Sequence, residues 1–394
     1  MKQSATVSCC LTVLLMGLIL SPPANAGGTV NLPEQRKLLE LVRRLGADDY
    51  QVRERASREL FQIGLPAKGA LLDGARDADP EVRRRCRDLL PEILEADRQA
   101  RLAAFIADKD GKETHDLPGW RRYRAIAGED AAARKLFIDI QKADTGFLSD
   151  VDRDPDHAGR QCGELAQALF QKQLSRGVER VESAKLSEIA PLLLVAADPK
   201  IEIPTQQRYL IFNLLYQPSA QSSLRSCASS PFKRIVLAWM ERQADDESAL
   251  SQVFYLVNNL EIREGLGFAL RAIHDKKLKG LSLATAMTTV GKFGDKRHLS
   301  VLEAYLDDKT EIGNFNLGNL PGRGAIQGKT QVRDAALAML VRLTKQSHKD
   351  YSFAVSRTNN EHLLMYANFL GFNTDEERDR AFKKWNDWKG EPKK

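Results

Sequence analysis

A pattern of five positions that recurs three times is the feature that most constrains the fold of this chain. Each copy has an apolar residue, an arginine one position later, a small residue four positions later, and apolar residues eight and eleven positions later. The copies are Val52, Arg53, Ala56, Leu60 and Ile63; Val82, Arg83, Cys86, Leu90 and Ile93; and Val332, Arg333, Ala336, Leu340 and Leu343. Apolar residues at these offsets share one face of a helix, and the 30-residue spacing of the first two copies is typical of stacked helix pairs. The sequence therefore predicts an all-α protein, an α-solenoid in which helical repeats form an alpha-alpha superhelix.

The first segment has the features of a signal peptide. Lys2 precedes an apolar run from Leu11 to Leu20, and Ala24-Asn25-Ala26 has the small-x-small form that signal peptidase cleaves. The apolar run is too short to span a bilayer comfortably. We expect residues 1–26 to be removed by cleavage near Ala26, which gives an exported chain, periplasmic or extracellular, with no transmembrane segment. A retained membrane anchor is the alternative.

Three cysteines remain after that cleavage, namely Cys86, Cys162 and Cys227. Three widely spaced cysteines do not form a disulfide framework, and a chain of this length buries a core without one. Cys86 replaces the alanine of the other repeat copies and is expected to be a small buried residue. A Cys162–Cys227 bridge stays open as an alternative to free thiols. Because the sequence has no C-x-x-C pair, we expect no zinc ribbon, no thioredoxin-like chemistry, no covalent haem and no other cofactor.

The charge balance is mildly basic, with a formal net charge of +6 spread along the chain. This distribution does not predict nucleic-acid binding, which concentrates positive charge on one face. The densest basic cluster is Arg83-Arg84-Arg85 with Arg87, inside a repeat helix. We expect ion pairs within the repeat there. An acidic partner, such as an anionic polymer of the cell envelope or a lipid headgroup, is the alternative.

Composition divides the mature chain into four parts. Residues 27–106 carry the N-terminal repeats, the polar residues 107–122 form a predicted linker, and residues 123–372 form a further helical repeat region. Residues 373–394 form a closing helix and tail, in which a capping box, Thr374 to Glu377, precedes aromatic residues. We expect these aromatic residues to cover the end of the stack, with a docking surface for a partner as the alternative.

Helical periodicity defines most elements after the linker. Pro91 is expected to break or bend the second repeat helix, so that Ile93 to Ile106 form a separate or bent segment. No two alternating β-branched runs are joined by a hairpin turn, so no β domain is expected. Helices are predicted over Ala131–Ala143, Gln161–Leu174, Leu186–Ala197, Gln206–Tyr216, Phe232–Arg242, Glu247–Leu260, Gly265–Asp275, Leu281–Phe293 and His298–Leu306.

Residues 308–329 interrupt this rhythm with a Gly- and Asn-rich insertion about twenty residues long. An insertion of that size between short turns is either a functional loop or a tolerated disordered one. Its apolar residues either fold back onto the repeat or insert into a partner. The candidate partner-binding residues are Phe315, Leu317, Leu320, Arg323 and Ile326.

Two stretches imitate chemical motifs without completing them. Residues 322–330 resemble a phosphate-binding loop, but Arg323 stands where glycine is required and no strand precedes it, so Thr330 is predicted to cap the next helix instead. Asp150 to His157 alternate carboxylates like an EF-hand, but Pro155 and Gln161 replace its glycine and its final glutamate. The histidines form no metalloprotease helix, and no G-x-S-x-G elbow occurs. We expect no catalytic residue, no metal site and no enzymatic activity.

The blocks Leu45–Ile93 and Leu283–Leu343 resemble short repeats of the HEAT or armadillo kind. Together with the signal peptide, the helix at 331–338, the segment 349–353 and the closing segment 377–385, they resemble secreted bacterial HEAT-repeat proteins of unassigned function. The resemblance implies a helical interaction scaffold and supplies no catalytic residues. We therefore expect an exported scaffold that binds a protein partner or an acidic envelope polymer. The alternative is an enzyme or cation-dependent module within residues 123–280.

Overall fold

The computed structural model describes residues 32–143, 146–174, 183–226, 230–243, 246–320, 324–358 and 360–390. The predicted signal peptide, Cys227 and Arg323 lie outside these residues. The described part contains eighteen α-helices, several short 3-10 helices and one two-stranded antiparallel sheet. The predicted helical class is confirmed, with the sheet as its exception. The chain divides into two compact units, at Arg101 and Leu102.

The first unit holds the first two copies of the repeat. Its helices are α1 (Leu32–Arg44), α2 (Tyr50–Ile63), α3 (Lys68–Gly74) and most of α4 (Pro80–Ala107). Helix α1 packs against α2 and α3. The repeat positions Ala56, Leu60, Cys86 and Ile93 are buried in its core, as the apolar stripe predicts, while Leu89 is buried in place of Leu90.

An arginine closes the turn that leads into each of these repeat helices. Arg53 Nη1 donates hydrogen bonds to the carbonyls of Ala47 at 2.6 Å and Asp48 at 2.9 Å. Arg83 Nη1 donates in the same way to the carbonyls of Asp77 and Ala78, both at 2.7 Å. These bonds give the arginine of the sequence pattern a structural role, because they satisfy turn carbonyls that no helix hydrogen bond reaches.

Pro91 does not break the second repeat helix, so Ile93 to Ile106 do not form a separate segment. Helix α4 continues through Pro91 to Ala107. Proline removes one backbone donor from a helix. Here Cys86 and Ile93, on either side of the proline, are both fully buried, and their packing holds the helix on its course.

The second unit contains the remaining elements around one continuous hydrophobic core. Its helices are α5 (Trp120–Ala127), α6 (Ala131–Ala143), α7 (Phe147–Arg153), α8 (Pro155–Leu174), α9 (Leu186–Ala196), α10 (Thr205–Leu214), α11 (Pro218–Ser226), α12 (Pro231–Arg242), α13 (Glu247–Leu260), α14 (Gly265–His274), α15 (Gly280–Phe293), α16 (Leu299–Glu303), α17 (Val332–Leu343) and α18 (Asp375–Gly390). Alternate helices pack together in its later part: α13 contacts α15, α15 contacts α17, and α14 contacts α16.

The segment predicted as a linker, residues 107–122, contributes to this core. Leu117 and Trp120 are buried, and Trp120 begins α5. His115 Nε2 lies 2.8 Å from Asp108 Oδ2, and both side chains are almost fully buried. These contacts make the segment a folded part of the second unit and not an open connection.

The insertion, which the sequence predicts to be a functional or disordered loop, forms a β-hairpin. Strands β1 (Glu311–Leu320) and β2 (Gly324–Gln331) are antiparallel, with Phe315 opposite Gly328 and Asn316 opposite Gln327. The strands are rich in glycine and asparagine, which are rare in strands, so propensity does not reveal them. Only the alternation of Phe315 and Leu317 carries the strand period.

The hairpin is inserted within a repeat turn that keeps one backbone hydrogen bond of the other two copies. In the first two copies the repeat arginine donates its backbone N–H to an aspartate carbonyl, Arg53 to Asp49 at 3.2 Å and Arg83 to Asp79 at 3.1 Å. In the third copy Arg333 donates to the carbonyl of Asp308 at 2.9 Å, across the whole insertion. Asp308 therefore takes the structural place of Asp49 and Asp79.

Candidate binding surface of the hairpin

The inner face of the hairpin packs on the second unit. Phe315 and Ile326 are 4% and 1% exposed and form a small core with Ala354. Leu317 and Phe369 are partly buried against the same core. Three of the five candidate partner-binding residues, Phe315, Leu317 and Ile326, therefore fold back onto the protein.

Of the other two candidate residues, only Leu320 lies in the described part of the hairpin. Leu320 is the last residue of β1, and Arg323 lies outside the described residues. Cross-strand pairing is described as far as Leu320 opposite Gly324.

A buried ion pair fixes the base of the hairpin. Arg378 Nε on α18 donates to Asp334 Oδ1 on α17 at 2.9 Å, and both residues are almost fully buried. Arg378 Nη2 also donates to the carbonyl of Lys329 on β2 at 3.0 Å, and the Gln331 N–H donates to Asp334 Oδ2 at 2.8 Å. Burial raises the pKa of Asp334 to about 6, although Arg378 acts in the opposite direction. The pair therefore ties one strand and two helices together.

Thr330 does not cap α17, which corrects its predicted role. It is fully buried at the end of β2, and its hydroxyl donates to the carbonyl of Asn368 at 2.7 Å. Gln331 precedes the first helical residue, Val332. Strand β2 thus runs up to the first residue of α17 with no coil between them. Thr330 links this strand to the segment that contains Asn368.

Close backbone approach on the inner side of β2 requires glycine. A Cβ atom at Gly328 would lie 2.1 Å from the carbonyl oxygen of Phe372, and one at Gly371 would lie 2.3 Å from that of Lys329. Lys329 and Phe372 form an isolated antiparallel bridge. One edge of β2 therefore pairs with β1, and part of its other edge is bridged by the segment that contains Phe372.

The outer face of the hairpin is exposed at several side chains, and one edge of β1 is not paired with a strand in the described residues. Asn314, Asn316 and Gln327 are exposed, and Lys329 Nζ lies 3.0 Å from Glu311 Oε1. Within the described residues, β1 has no strand partner other than β2. An unpaired strand edge presents backbone donors and acceptors to an extended peptide.

The acidic stretch that resembles an EF-hand is divided between two helices. Asp150 pairs with Arg153, Asp152 pairs with Arg122, and Asp154 Oδ2 lies 2.7 Å from His157 Nδ1. Among the residues that the structure describes, no group of three or more His, Cys, Asp or Glu side chains is placed to hold a metal ion.

The arginine-rich cluster of α4 is engaged within the first unit. Arg84 pairs with Glu81 and Asp88, while Arg85 pairs with Glu81 and Glu54. Hydrogen bonds from Arg84 and Arg85 lower the pKa of Glu81 to about 2. The ion pairs expected within the repeat are present, and they take up much of the charge that an acidic partner would contact.

The two cysteines in the described residues, Cys86 and Cys162, are buried free thiols. Burial raises the pKa of Cys86 to about 11, and Cys162 Sγ donates to the carbonyl of Leu192 at 3.5 Å. The open question of a Cys162–Cys227 bridge depends on Cys227, which lies outside the described residues.

Comparison with known proteins gives no family for this chain: no family model matches it, and no curated protein matches it in sequence. Within the described residues, no helix has both the length and the apolar character needed to cross a membrane.

Proposed function

We propose that this chain is an exported, non-catalytic scaffold that binds a protein partner, and that its helices form an α-solenoid of HEAT-like repeats. The packing of alternate helices, α13 on α15 and α15 on α17, supports the solenoid because stacked repeats place every second helix in one row. The turn hydrogen bonds shared by Arg53, Arg83 and Arg333 support a common repeat unit.

The single observation that carries the binding function is the open edge of β1 on an anchored hairpin. Phe315 and Ile326 hold the inner face, and the Arg378–Asp334 pair holds the base. An extended segment of the partner adds to β1 as a third strand, and its backbone hydrogen bonds supply affinity. Because the hairpin is ordered before binding, association does not include the entropy cost of ordering it.

The test replaces Gly313–Gly328 by a short Gly-Ser linker. The bonds from Arg333 to Asp308 and from Val332 to Thr310 lie outside the replaced segment and keep the repeat turn closed. We expect the variant to keep its helicity by circular dichroism and to lose capture of its partner from an envelope extract. Gln327→Ala is the matched control, because it alters the outer face of β2 and leaves the edge of β1 intact.

Unchanged recovery of the partner by the linker variant would place the binding surface elsewhere. Recovery of an acidic polymer in place of a protein would overturn the proposed partner class. Export is tested separately by fusing alkaline phosphatase after Arg44, since that enzyme needs disulfides formed outside the cytoplasm. Activity is expected with residues 1–26 present and is expected to be lost without them.

A further inference from the structure

A large basic cavity lies in the second unit, away from the strands of the hairpin. Its volume is about 920 Å³, and its walls come from the ends of α15 and α17, from the turns that follow each helix, and from Val355, Ser356, Thr358 and Leu364. The charged lining consists of five cations and one carboxylate: Lys296, Arg297, Arg342, Lys345, Lys349 and Asp295. A cavity of this size matches the range of about 300–1,000 Å³ typical of small-molecule sites.

The single carboxylate neutralises only one of these cations. Asp295 pairs with Arg297 at 2.6 Å, and that guanidinium holds the pKa of Asp295 far below its ordinary value. Within the described residues, Lys296, Lys345 and Lys349 have no carboxylate in ion-pair distance. Three lysines of the cavity lining therefore carry a positive charge that no carboxylate of the described residues pairs.

Two helix ends do not account for this excess. Helices α15 and α17 end at the cavity, and the C-terminus of a helix carries about half a negative charge, so the two together amount to about one. Arg342 Nε already donates to the carbonyl of Gly291, near the end of α15, at 3.0 Å. The three lysines are thus in excess over what the two helix dipoles attract.

Lys345 also stands where a helix end usually has glycine. Its φ is +62°, in the left-handed region. The N–H of Lys345 donates to the carbonyl of Arg342 and that of Gln346 to Val341, which closes α17 in the manner of a Schellman motif. Glycine takes this conformation without strain, whereas a lysine does not. The strained backbone position puts a lysine in the lining of the cavity, and such strain is concentrated at functional sites.

We infer that this cavity binds an organic phosphate monoester with a hydroxylated body. A phosphate monoester carries a charge of about −1.5 to −2 at pH 7 and has three acceptor oxygens, which suits three lysines better than a carboxylate with one charge does. The hydroxyls of Ser356 and Thr358 donate to the carbonyls of Phe353 at 2.6 Å and Val355 at 2.7 Å. Both residues line the cavity, and each hydroxyl oxygen keeps lone pairs that can accept a hydrogen bond from a hydroxyl group of the ligand.

The test is calorimetric titration of the full mature chain with glucose 6-phosphate, with glucose as the uncharged comparison. The variant carries Lys296→Gln, Lys345→Gln and Lys349→Gln. The control carries Lys37→Gln, Lys68→Gln and Lys200→Gln, three exposed lysines outside the cavity, and so loses the same charge. We expect binding of glucose 6-phosphate alone, at least a tenfold loss of affinity in the cavity variant, and less than a twofold change in the control.

Lys345→Gly separates binding from folding. Because glycine relieves the left-handed conformation, this variant should melt at a higher temperature than the natural chain and still bind glucose 6-phosphate at least threefold more weakly. Unchanged affinity in a stabilised Lys345→Gly protein would overturn the role of that lysine and, with it, the proposed site.

A second arm identifies the source of the phosphate. The chain is sedimented with phosphatidylcholine vesicles that contain phosphatidylinositol 4-phosphate, and with vesicles that lack it. Sedimentation lost in the cavity variant assigns the site to a lipid headgroup, while binding of glucose 6-phosphate alone assigns it to a soluble sugar phosphate. Binding of neither probe, or equal loss in the cavity variant and the control, would overturn the proposal.

Discussion

Substitution of Arg378 by methionine should destabilise the second unit strongly. Methionine keeps much of the length and apolar body of the side chain but removes the guanidinium that lies 2.9 Å from Asp334 Oδ1. Asp334 would remain as a buried carboxylate with no cation. Removing one partner of a buried pair typically costs about 3–5 kcal/mol.

The dependence of this loss on pH identifies its cause. The pKa of Asp334 is raised to about 6 in the folded protein, above its ordinary value of 3.8, so the folded state binds a proton more readily than the unfolded state does. Loss of Arg378 removes an opposing charge and raises this pKa further. The difference in stability between the natural chain and Arg378→Met should therefore be smallest at acidic pH and grow as the pH rises above about 6.

Urea unfolding at several pH values measures this difference in stability. Tryptophan fluorescence reports it, since Trp385 is buried on the same helix, α18. Lys383→Met is the matched control, because Lys383 pairs with Asp387 on α18 and both side chains are mostly exposed. That substitution should cost less than about 1 kcal/mol. A loss below about 1 kcal/mol for Arg378→Met at pH 7.5, or a loss that does not change with pH, would refute the role assigned to the buried pair.

Three further predictions test the repeat, the close approach under the hairpin and the acid response. Val82→Asp should lower the stability of the first unit by several kcal/mol because Val82 is 3% exposed. Arg84→Ala, on an exposed face, should leave the melting temperature nearly unchanged. Equal tolerance of both substitutions would contradict the repeat alignment. Gly328→Ala should lower the melting temperature because its Cβ would meet the Phe372 carbonyl, while Gly69→Ala, with no atom within 4 Å, should leave it unchanged or raise it; the reverse order would refute the close approach. The hydrogen bond with His115 lowers the pKa of Asp108 from its ordinary 3.8. The stability supplied by this carboxylate is therefore complete above pH 3.8 and is lost as the pH falls through the lower pKa of the folded state. Asp108→Asn should flatten the decline of the urea midpoint between about pH 5 and 2, and an unchanged decline would exclude Asp108 as a contributor.

The sequence predicts the helices well where one apolar stripe faces a core. The bounds of α6 and α13 agree with the predicted segments, and the repeat stripe through Ala56, Leu60 and Cys86 is buried. Periodicity is sufficient in these places because each helix meets its neighbours on a single face.

Prediction fails where tertiary contacts override local signals. Pro91 lies inside a continuous helix whose neighbouring residues are buried on both sides, and residues 107–122 look like a linker although Leu117 and Trp120 enter the core. The hairpin strands lack strand propensity because glycines are needed for close backbone contacts, as at Gly328.

The basic cavity was beyond sequence reasoning for a different reason. Lys296 lies almost fifty residues before Lys345, and only the packing of α15 beside α17 brings them to one cavity. The sequence pointed instead to the contiguous arginines of α4, whose charges are largely paired within their own repeat.

The bond from Arg333 to Asp308 has a consequence for protein engineering. The two ends of the insertion are held together by backbone hydrogen bonds of 2.9 and 3.0 Å that do not depend on the side chains between them. The turn is therefore an insertion site: a foreign loop with closely spaced ends can replace the hairpin while α17 keeps its first turn. The turns before α2 and α4 are only a few residues long, and in each an arginine side chain reaches back across the whole turn, so the same graft there would have to break the arginine's own bonds.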